Sequence, residues 1–222
     1  MSLRLNKSIF YHIPKTGGTW VNYAIRKAMI DNKDLIYRRP KLKRADDDYS
    51  NWREVVSHSL GMRRAHETQW GIANEEKDDI FSFTFVRKPL DWYKSYWADR
   101  KFSRETKNKK YWGAFPLDFA WDESFDQFVL NATKMFSQGA LTLIYQSFLG
   151  LDGDDLDFVG RQENLVEDLV KALTLAGEDF NEEKLRNVGK KNVSAPFDFG
   201  LSNSARSKLL RRERWVTKTF YD

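Results

Sequence analysis

Residues 12–20, which read HIPKTGGTW, decide the fold of this chain. The apolar run just before and into this segment, residues 8–13, predicts a short buried strand. Pro14 stops the strand, and Gly17 with Gly18 permits a tight turn. From Thr19 onward the letters TWVNYAIRKAMI predict a helix. The segment therefore predicts a strand–loop–helix unit.

A loop that enters a helix in this way is suited to hold an anion. The helix start offers unpaired backbone N–H groups and the positive end of the helix dipole. Glycine allows the backbone to approach an anion closely, Lys15 adds a mobile positive charge, and the Thr16 and Thr19 hydroxyls can donate hydrogen bonds. The alternative is an ordinary strand-to-helix turn with a lysine on its surface.

The order of residues in this loop differs from the common nucleotide-binding motifs. A Walker A loop places lysine and serine or threonine after its glycines, whereas Lys15 precedes Gly17 and Gly18. The loop is not G-x-G-x-x-G either, so a dinucleotide site has no support.

A second motif, FTFVRKPLDWYKSYW at residues 83–97, points to another anion. Residues 80–86 predict a strand, and Pro89 suits the first turn of a helix. Arg87 follows the strand at its carboxyl end, where open α/β sheets bind ligands, and Ser95 lies eight positions later. If both loops meet at one sheet edge, the two anion sites suit a nucleotide with phosphate at its 5′ and 3′ ends.

The middle of the chain is less regular. Residues 38–48 read as a solvated connection, and 55–59 (VVSHS) as a second short strand. Residues 101–116 are basic and aromatic without periodicity, which indicates a mobile loop. Residues 123–150 predict one or two helices.

The last third returns to the strand–helix pattern. Residues 156–177 predict a strand, a short turn and a helix that ends at Gly177. The tail, residues 202–222, predicts a capped, amphipathic, basic helix. The succession of strand–helix units predicts an α/β fold in which a mainly parallel central sheet is flanked by helices. No linker is evident, so we expect residues 1–222 to form a single domain.

The composition of the chain limits the kinds of ligand and chemical site that the protein can have. The 222 residues include 37 Lys+Arg against 32 Asp+Glu, a formal net charge of +5, which suits an anionic ligand. The absence of cysteine excludes disulfides, thiolate chemistry and Cys-based zinc sites. The spacing of the three histidines suggests no metal site. No secretory leader or membrane span is evident, so we expect a soluble, cytoplasmic chain; its oligomeric state cannot be read from the sequence.

The pair HIPKTGGTW and FVRKPLDWYKSYW resembles the sulfotransferases that use 3′-phosphoadenosine-5′-phosphosulfate (PAPS). Residues 160–164, GRQEN, are similar to a stretch of the carbohydrate branch of that family, whereas residues 101–150 match no motif of it. The resemblance implies a P-loop-like sulfotransferase fold and sulfuryl transfer from PAPS to an acceptor hydroxyl. It also implies the product 3′-phosphoadenosine-5′-phosphate (PAP), no metal and no nucleic-acid partner. The acceptor would be a glycan or a small metabolite.

The resemblance assigns the first motif to the 5′ end of the donor. Lys15 would contact the phosphosulfate and stabilise the charge that develops on the bridging oxygen. The backbone amides of Gly17, Gly18 and Thr19, with the hydroxyls of Thr16 and Thr19, would hold the 5′ phosphate.

The remaining donor contacts follow from the same resemblance. Trp20 aligns with a tryptophan that stacks on adenine in the cytosolic members of the family, although a core position in the first helical turn is the alternative. Arg87 and Ser95 would hold the 3′ phosphate, and Arg161 would approach the nucleotide.

Three residues between the two motifs are candidates for the catalytic base. His58 is the first choice, because relatives use a histidine or a glutamate in this part of the chain and an ordinary histidine pKa near 6.5 suits a base at neutral pH. His66 and Glu54 are the substitutes, whereas His12 is expected to pack against the loop or orient it.

Two other functions compete with this interpretation. A P-loop-type nucleotide or small-molecule kinase would bind ATP with magnesium. A non-catalytic protein that binds polyanions would use the positive charge and the eight tryptophans, with strong salt dependence and no turnover.

Overall fold

The structure is a computed structural model that describes residues 2–29, 80–107, 117, 124–189 and 199–222. All statements on the fold concern these residues. The predicted connection at 38–48 and the predicted strand at 55–59 lie outside them.

A four-stranded sheet forms the centre of the described part. Its strands are β1 (Leu3–Arg4), β2 (Ser8–Phe10), β3 (Phe81–Val86) and β4 (Phe158–Arg161), hydrogen-bonded in the order β1-β2-β3-β4. The short β1 runs antiparallel to β2, whereas β2, β3 and β4 are parallel. The prediction of a mainly parallel sheet is therefore confirmed.

Eight α-helices accompany the sheet in the described residues. The first four are α1 (Gly18–Ala28), α2 (Pro89–Lys107), α3 (Phe125–Met135) and α4 (Ala140–Leu149). The others are α5 (Leu165–Leu175), α6 (Glu182–Arg186), α7 (Asn203–Arg212) and α8 (Arg214–Phe220). A 3₁₀ turn, Gln162–Asn164, joins β4 to α5. The predicted α/β fold is confirmed, and the described residues 124–150 contain two helices, as one of the two predicted possibilities had it.

Side chains alternate between two hydrophobic clusters on opposite faces of the sheet, as the period of a strand requires. Ile9 and Tyr11 belong to the first cluster, with Trp92 of α2 and the buried residues of α3, α4, α7 and α8. Phe10 and Phe83 belong to the second cluster, with the buried residues of α1 and α5. The sheet is thus covered on both faces, which is the usual environment of parallel strands.

The prediction of a mobile loop at 101–116 is wrong for residues 101–107, which form the last two turns of α2. Basic residues are favourable in the last turns of a helix because they complement its dipole. In addition, the Lys101 ammonium lies 5.4 Å from the Trp97 ring centre, and the Arg100 guanidinium lies 4.9 Å from that of Tyr96. These cation–π contacts give Arg100 and Lys101 partners on the surface of the helix. The segment has no apolar periodicity, so the sequence pattern did not reveal the helix.

The tail forms two helices, not the single helix that its amphipathic pattern predicts. The predicted cap is present, since the Ser202 hydroxyl accepts a hydrogen bond from the Ala205 N–H at 3.2 Å. The helical run is interrupted at Glu213, between α7 and α8, and the side chain of Glu213 is fully buried. At the other predicted stop, Gly177 follows α5 with a φ of 66°, as expected for a glycine that ends a helix.

No helix within the described ranges is long and apolar enough to cross a membrane.

Candidate functional site

The loop between β2 and α1 has the backbone of an anion site. Gly17, with a φ of 94°, is the N-cap of α1, and the first helical hydrogen bond runs from the Val21 N–H to the Gly17 carbonyl at 3.1 Å. The amides of Gly18, Thr19 and Trp20 therefore have no acceptor within the helix. Their N–H groups and the dipole of an 11-residue helix favour an anion at this point.

Gly18 lies directly against the imidazole of His12. A Cβ at position 18 would be 1.9 Å from the His12 Cδ2 atom and 2.1 Å from its Nε2 atom. Only a hydrogen fits there, so the second glycine of the motif is required by packing as well as by access to an anion. The expectation that His12 packs against the loop agrees with this contact.

The two threonines of the loop have different environments. The Thr16 side chain is buried and donates a hydrogen bond to the Ile13 carbonyl at 2.9 Å. Its hydroxyl therefore closes the turn, while its oxygen keeps only accepting capacity for other partners. Thr19, in contrast, is exposed.

Trp20 lies in the second hydrophobic cluster and is only 6% exposed. Its indole N–H donates to the Gly189 carbonyl at 3.2 Å. The side chain therefore has both an apolar environment and a hydrogen-bond partner within the protein.

Arg87 follows β3 and reaches the loop of the first motif. Its Nη1 donates to the Lys15 carbonyl at 3.2 Å. Its backbone N–H donates to the Tyr145 hydroxyl at 2.7 Å, and that hydroxyl lies 3.1 Å from the Arg87 carbonyl, to which it donates. The two predicted anion motifs thus meet, and α4 fixes the backbone at the point where they do.

One N–H donor of the Arg87 guanidinium makes no hydrogen bond to the described residues. Its Nε atom is buried and has no hydrogen-bond partner among the described residues. Burial lowers the pKa of Arg87, an effect that the charges of Asp91 and Glu163 oppose. A half-buried guanidinium whose buried Nε donor is unused is a place where an anion would be favourable.

Helix α2 joins the second motif to the first. Ser95 lies in this helix, two turns after its start, and is 7% exposed. Three residues before it, the Trp92 indole N–H donates to the Pro14 carbonyl at 2.8 Å. The helix that carries Ser95 is therefore in direct contact with the first loop.

Arg161 lies in a polar cluster that sequence reasoning missed. Its guanidinium is 5.2 Å from the ring centre of Tyr221, and the Lys88 ammonium is 5.9 Å from the same ring. The Tyr221 hydroxyl donates to one carboxylate oxygen of Glu163 at 3.2 Å, and the other carboxylate oxygen accepts from the backbone N–H of Lys88 at 2.9 Å. The tail thereby reaches the end of β3, next to Arg87.

No sequence signal marked Tyr221 for this position. Burial raises the pKa of its hydroxyl, and the nearby Tyr145 and Glu163 raise it further. Tyr221 therefore stays neutral and acts as a hydrogen-bond donor. A lone aromatic residue 58 positions from its partner has no motif that could reveal it.

Three predicted residues, His58, His66 and Glu54, lie outside the described residues. Among the residues that the structure does describe, no group of three or more His, Asp or Glu side chains is arranged to bind a metal ion.

Comparison with known proteins identifies one family. A family model described as the sulfotransferase family matches residues 4–194, which include both motifs and the stretch GRQEN. Searches among curated protein sequences and among solved structures gave no match.

Proposed function

The chain belongs to the sulfotransferase family, and from this premise we propose that it transfers a sulfuryl group from PAPS to an acceptor hydroxyl. The observation that carries the proposal is the 3.2 Å contact between Arg87 Nη1 and the Lys15 carbonyl. This contact brings the two motifs to one sheet edge, as a donor with phosphate at both ends of an adenosine requires.

The residues of the site fit such a donor. The amides at the start of α1 have no acceptor within the helix, and they would hold the 5′ phosphate together with the exposed Thr19 hydroxyl. Arg87, whose buried Nε lacks a partner in the described part of the chain, would hold the 3′ phosphate with Ser95. Arg161 lies beside the same strand ends and would approach the nucleotide.

The geometry changes the roles expected of two residues, Thr16 and Trp20, in binding the donor. The Thr16 hydroxyl donates within its own loop, so it would act on the donor through the position it gives the loop. Trp20 already has a buried environment and a hydrogen-bond partner, so we propose for it a structural role in the second hydrophobic cluster.

When bound, PAPS supplies a sulfuryl group whose bond to the phosphate oxygen breaks as the acceptor oxygen bonds to sulfur. The ammonium of Lys15 stabilises negative charge at the leaving phosphate oxygen. The backbone amides of the loop hold the phosphate in a fixed position during transfer. A base takes the proton of the acceptor hydroxyl, and we propose His58 for this role, with His66 and Glu54 as substitutes.

The acceptor is proposed as a hydroxyl of a glycan or of a small metabolite. The glycan is favoured because residues 160–164 resemble the carbohydrate branch of the family. An acceptor screen with sulfur-labelled PAPS tests this directly, and His58→Ala is then compared with the unchanged protein. A near-normal kcat in His58→Ala would move the base to His66 or Glu54.

Binding of adenosine 3′,5′-bisphosphate tests the donor site by thermal shift. A ligand at 100 times its Kd stabilises the folded state by about 2.7 kcal/mol, which corresponds to several degrees in Tm for a chain of this size. We expect this shift with the bisphosphate and a much smaller one with AMP, because AMP lacks the 3′ phosphate. Arg87→Ala and Lys15→Ala should lose most of the shift.

Arg206→Ala is the matched control, because it removes one exposed arginine from α7. It should keep the full shift. A larger stabilisation by ATP with magnesium than by the bisphosphate would favour the kinase. Salt-dependent binding of many polyanions without sulfuryl transfer would favour the non-catalytic protein.

A further inference from the structure

Lys15 is held at both ends by groups outside its own loop. Its carbonyl accepts from Arg87, and its ammonium lies 3.4 Å from the Oδ1 atom of Asp99 on α2. Between these two contacts the backbone has a φ of 66°, the only positive φ among the described non-glycine residues. A lysine in this conformation is strained by about 1 kcal/mol or more, so it persists only where its surroundings impose it.

Helix α2 contacts the loop at two points on one face. Trp92 donates to the Pro14 carbonyl, and Asp99 pairs with the next residue, Lys15. Trp92 and Asp99 are seven positions apart, close to two full helical turns, so both side chains lie on the same side of the helix. Trp92 is fully buried and anchors the helix to the loop. This anchor fixes the position of the Asp99 carboxylate relative to the loop.

The charges that face Lys15 come from two elements. Asp99 and Arg100 lie on α2, and Arg87 follows β3. Burial lowers the pKa of Lys15, Asp99 raises it by its charge and its hydrogen bond, and the two arginines lower it. Without Asp99, burial and both guanidinium groups would favour the neutral amine.

We propose that Asp99 is a positioning residue for Lys15, which it keeps as an ammonium ion aimed at the site of sulfuryl transfer. This inference rests on the proposed function, in which Lys15 stabilises the leaving oxygen. Asp99 itself would not touch the donor. Its side chain is 49% exposed and that of Lys15 is 25% exposed, so the pair can rearrange when an anion arrives.

This role predicts a separation of kcat from affinity. Loss of the Asp99 charge removes a negative group from the neighbourhood of an anionic donor, and this effect opposes any loss of positive charge at Lys15, so bisphosphate affinity should change less than kcat. The ammonium that stabilises the transition state would be less populated and less well placed, so kcat should decrease. Lys15→Ala, in contrast, should lose both affinity and kcat.

The first experiment needs no acceptor. The rate at which acetic anhydride labels Lys15 is measured against pH by mass spectrometry, in the unchanged protein and in Asp99→Asn. We expect Lys15 of Asp99→Asn to lose its proton at lower pH. Asp99→Glu should restore the titration in part, because it keeps the charge. Asp152→Asn removes an exposed carboxylate elsewhere and should change nothing.

The second experiment follows kcat against pH with labelled PAPS and the acceptor found by screening. We expect Asp99→Asn to lower kcat at pH 7 on the order of tenfold or more, as for a misplaced catalytic group. The decline of kcat at high pH should begin at a lower pH than in the unchanged protein, because Lys15 would be neutral sooner. Asp152→Asn should follow the unchanged profile.

The outcomes distinguish this inference from the proposed function. If Lys15 titrates identically in Asp99→Asn and the unchanged protein, the inference is overturned even where bisphosphate binding and transfer persist. If Lys15 titrates at lower pH in Asp99→Asn but the unchanged protein neither binds the bisphosphate nor transfers sulfate, the coupling stands and the proposed function fails. An unchanged unfolding temperature of Asp99→Asn shows that the variant is folded.

Discussion

At position 18, between the start of α1 and the His12 ring, there is room for a hydrogen and not for a methyl group. The Cβ of an alanine would lie within 2.1 Å of two ring atoms. Real Cβ contacts do not occur at such distances, so either the ring or the helix start would have to move. Both lie at the proposed 5′ phosphate site.

Gly18→Ala is expected to destabilise the protein by about 1–3 kcal/mol, the usual cost of excess volume in a packed site. It should also weaken bisphosphate binding, since the helix start would shift. Urea denaturation and the thermal shift measure the two effects. Gly189→Ala is the control, because a Cβ there meets nothing within 4 Å in the described part of the chain.

His12→Ala in the Gly18→Ala background identifies the cause. Loss of the ring removes the atoms that the new methyl group would meet, so the double variant should recover part of the stability that Gly18→Ala loses. The coupling energy from the four proteins measures the contact. Additive effects would show that the methyl group is accommodated in another way.

The residues of the site differ in how far the sequence could predict them. Lys15, Gly17 and Gly18 are adjacent in the chain, so a local motif with a physical meaning reveals them. Asp99 and Tyr145 are distant from the residues they hold, and each is an ordinary helix residue by its neighbours. Their roles depend on which helix face meets the loop, which only the packed structure defines.

The junction between α7 and α8 shows that a helical sequence pattern does not determine whether a segment forms one helix or two. Leu209 on α7 and Val216 on α8 are both buried and lie seven positions apart. That spacing would place two residues on the same face of one continuous helix. The chain nevertheless breaks at Glu213, whose carboxylate accepts four hydrogen bonds. These come from the Tyr93 hydroxyl at 2.7 Å, the Leu141 N–H at 3.0 Å, and the Thr142 N–H and hydroxyl, both at 2.8 Å.

Glu213→Ala is therefore expected to destabilise the protein by about 3–5 kcal/mol, because buried donors from α2 and α4 would lose their acceptor. Glu213→Gln should lose less, since one side-chain oxygen remains. Urea denaturation measures both. Glu183→Ala, an exposed position on α6, should stay within about 0.5 kcal/mol of the unchanged protein.

The comparison with Glu213→Gln also has a pH dependence. Burial raises the pKa of Glu213, although its four hydrogen bonds oppose the shift. A raised folded pKa means that folding favours the protonated carboxyl, so its contribution to stability is fully present below the unfolded pKa of about 4.3. That contribution is lost as pH rises through the folded pKa. The stability difference from Glu213→Gln should therefore be largest at acid pH and decrease toward neutrality.

A glutamate within a basic helix gives no sign of burial in the sequence, and the tail was predicted as one helix for this reason. The same limit applied to residues 101–107, where charge concealed a helix supported by cation–π contacts. In contrast, the strands β2 and β3 and the starts of α1 and α2 followed from apolar runs, Pro89 and the glycines. Elements with a local cause were predictable, and those with a distant partner were not.

At the scale of the whole molecule, the tail extends beyond the part that the family model matches. The match ends at residue 194, yet Ala205, Leu209 and Val216 are fully buried in the first hydrophobic cluster with Trp92 and Val86. Tyr221 then reaches Glu163 beside β4. We propose that the chain folds as one domain that includes this tail, because its side chains complete the core on one face of the sheet.

Leu209 and its neighbour Leu210 form a matched pair that tests this proposal. Leu209 is fully buried, whereas Leu210 is 41% exposed. Leu209→Ala should destabilise the protein by about 2–5 kcal/mol, the range for a buried leucine. Leu210→Ala should change the free energy of unfolding by about 0.5 kcal/mol or less.

Hydrogen exchange then shows how far the effect of Leu209→Ala extends, since α1 lies in the second cluster, on the opposite face of the sheet. In one cooperative domain, the most protected amides of α1 exchange only by global unfolding, so Leu209→Ala should lower their protection by the same free energy as it lowers stability in urea. Unchanged protection of α1 in Leu209→Ala would show that the tail and the second cluster unfold separately, and the single-domain proposal would be wrong.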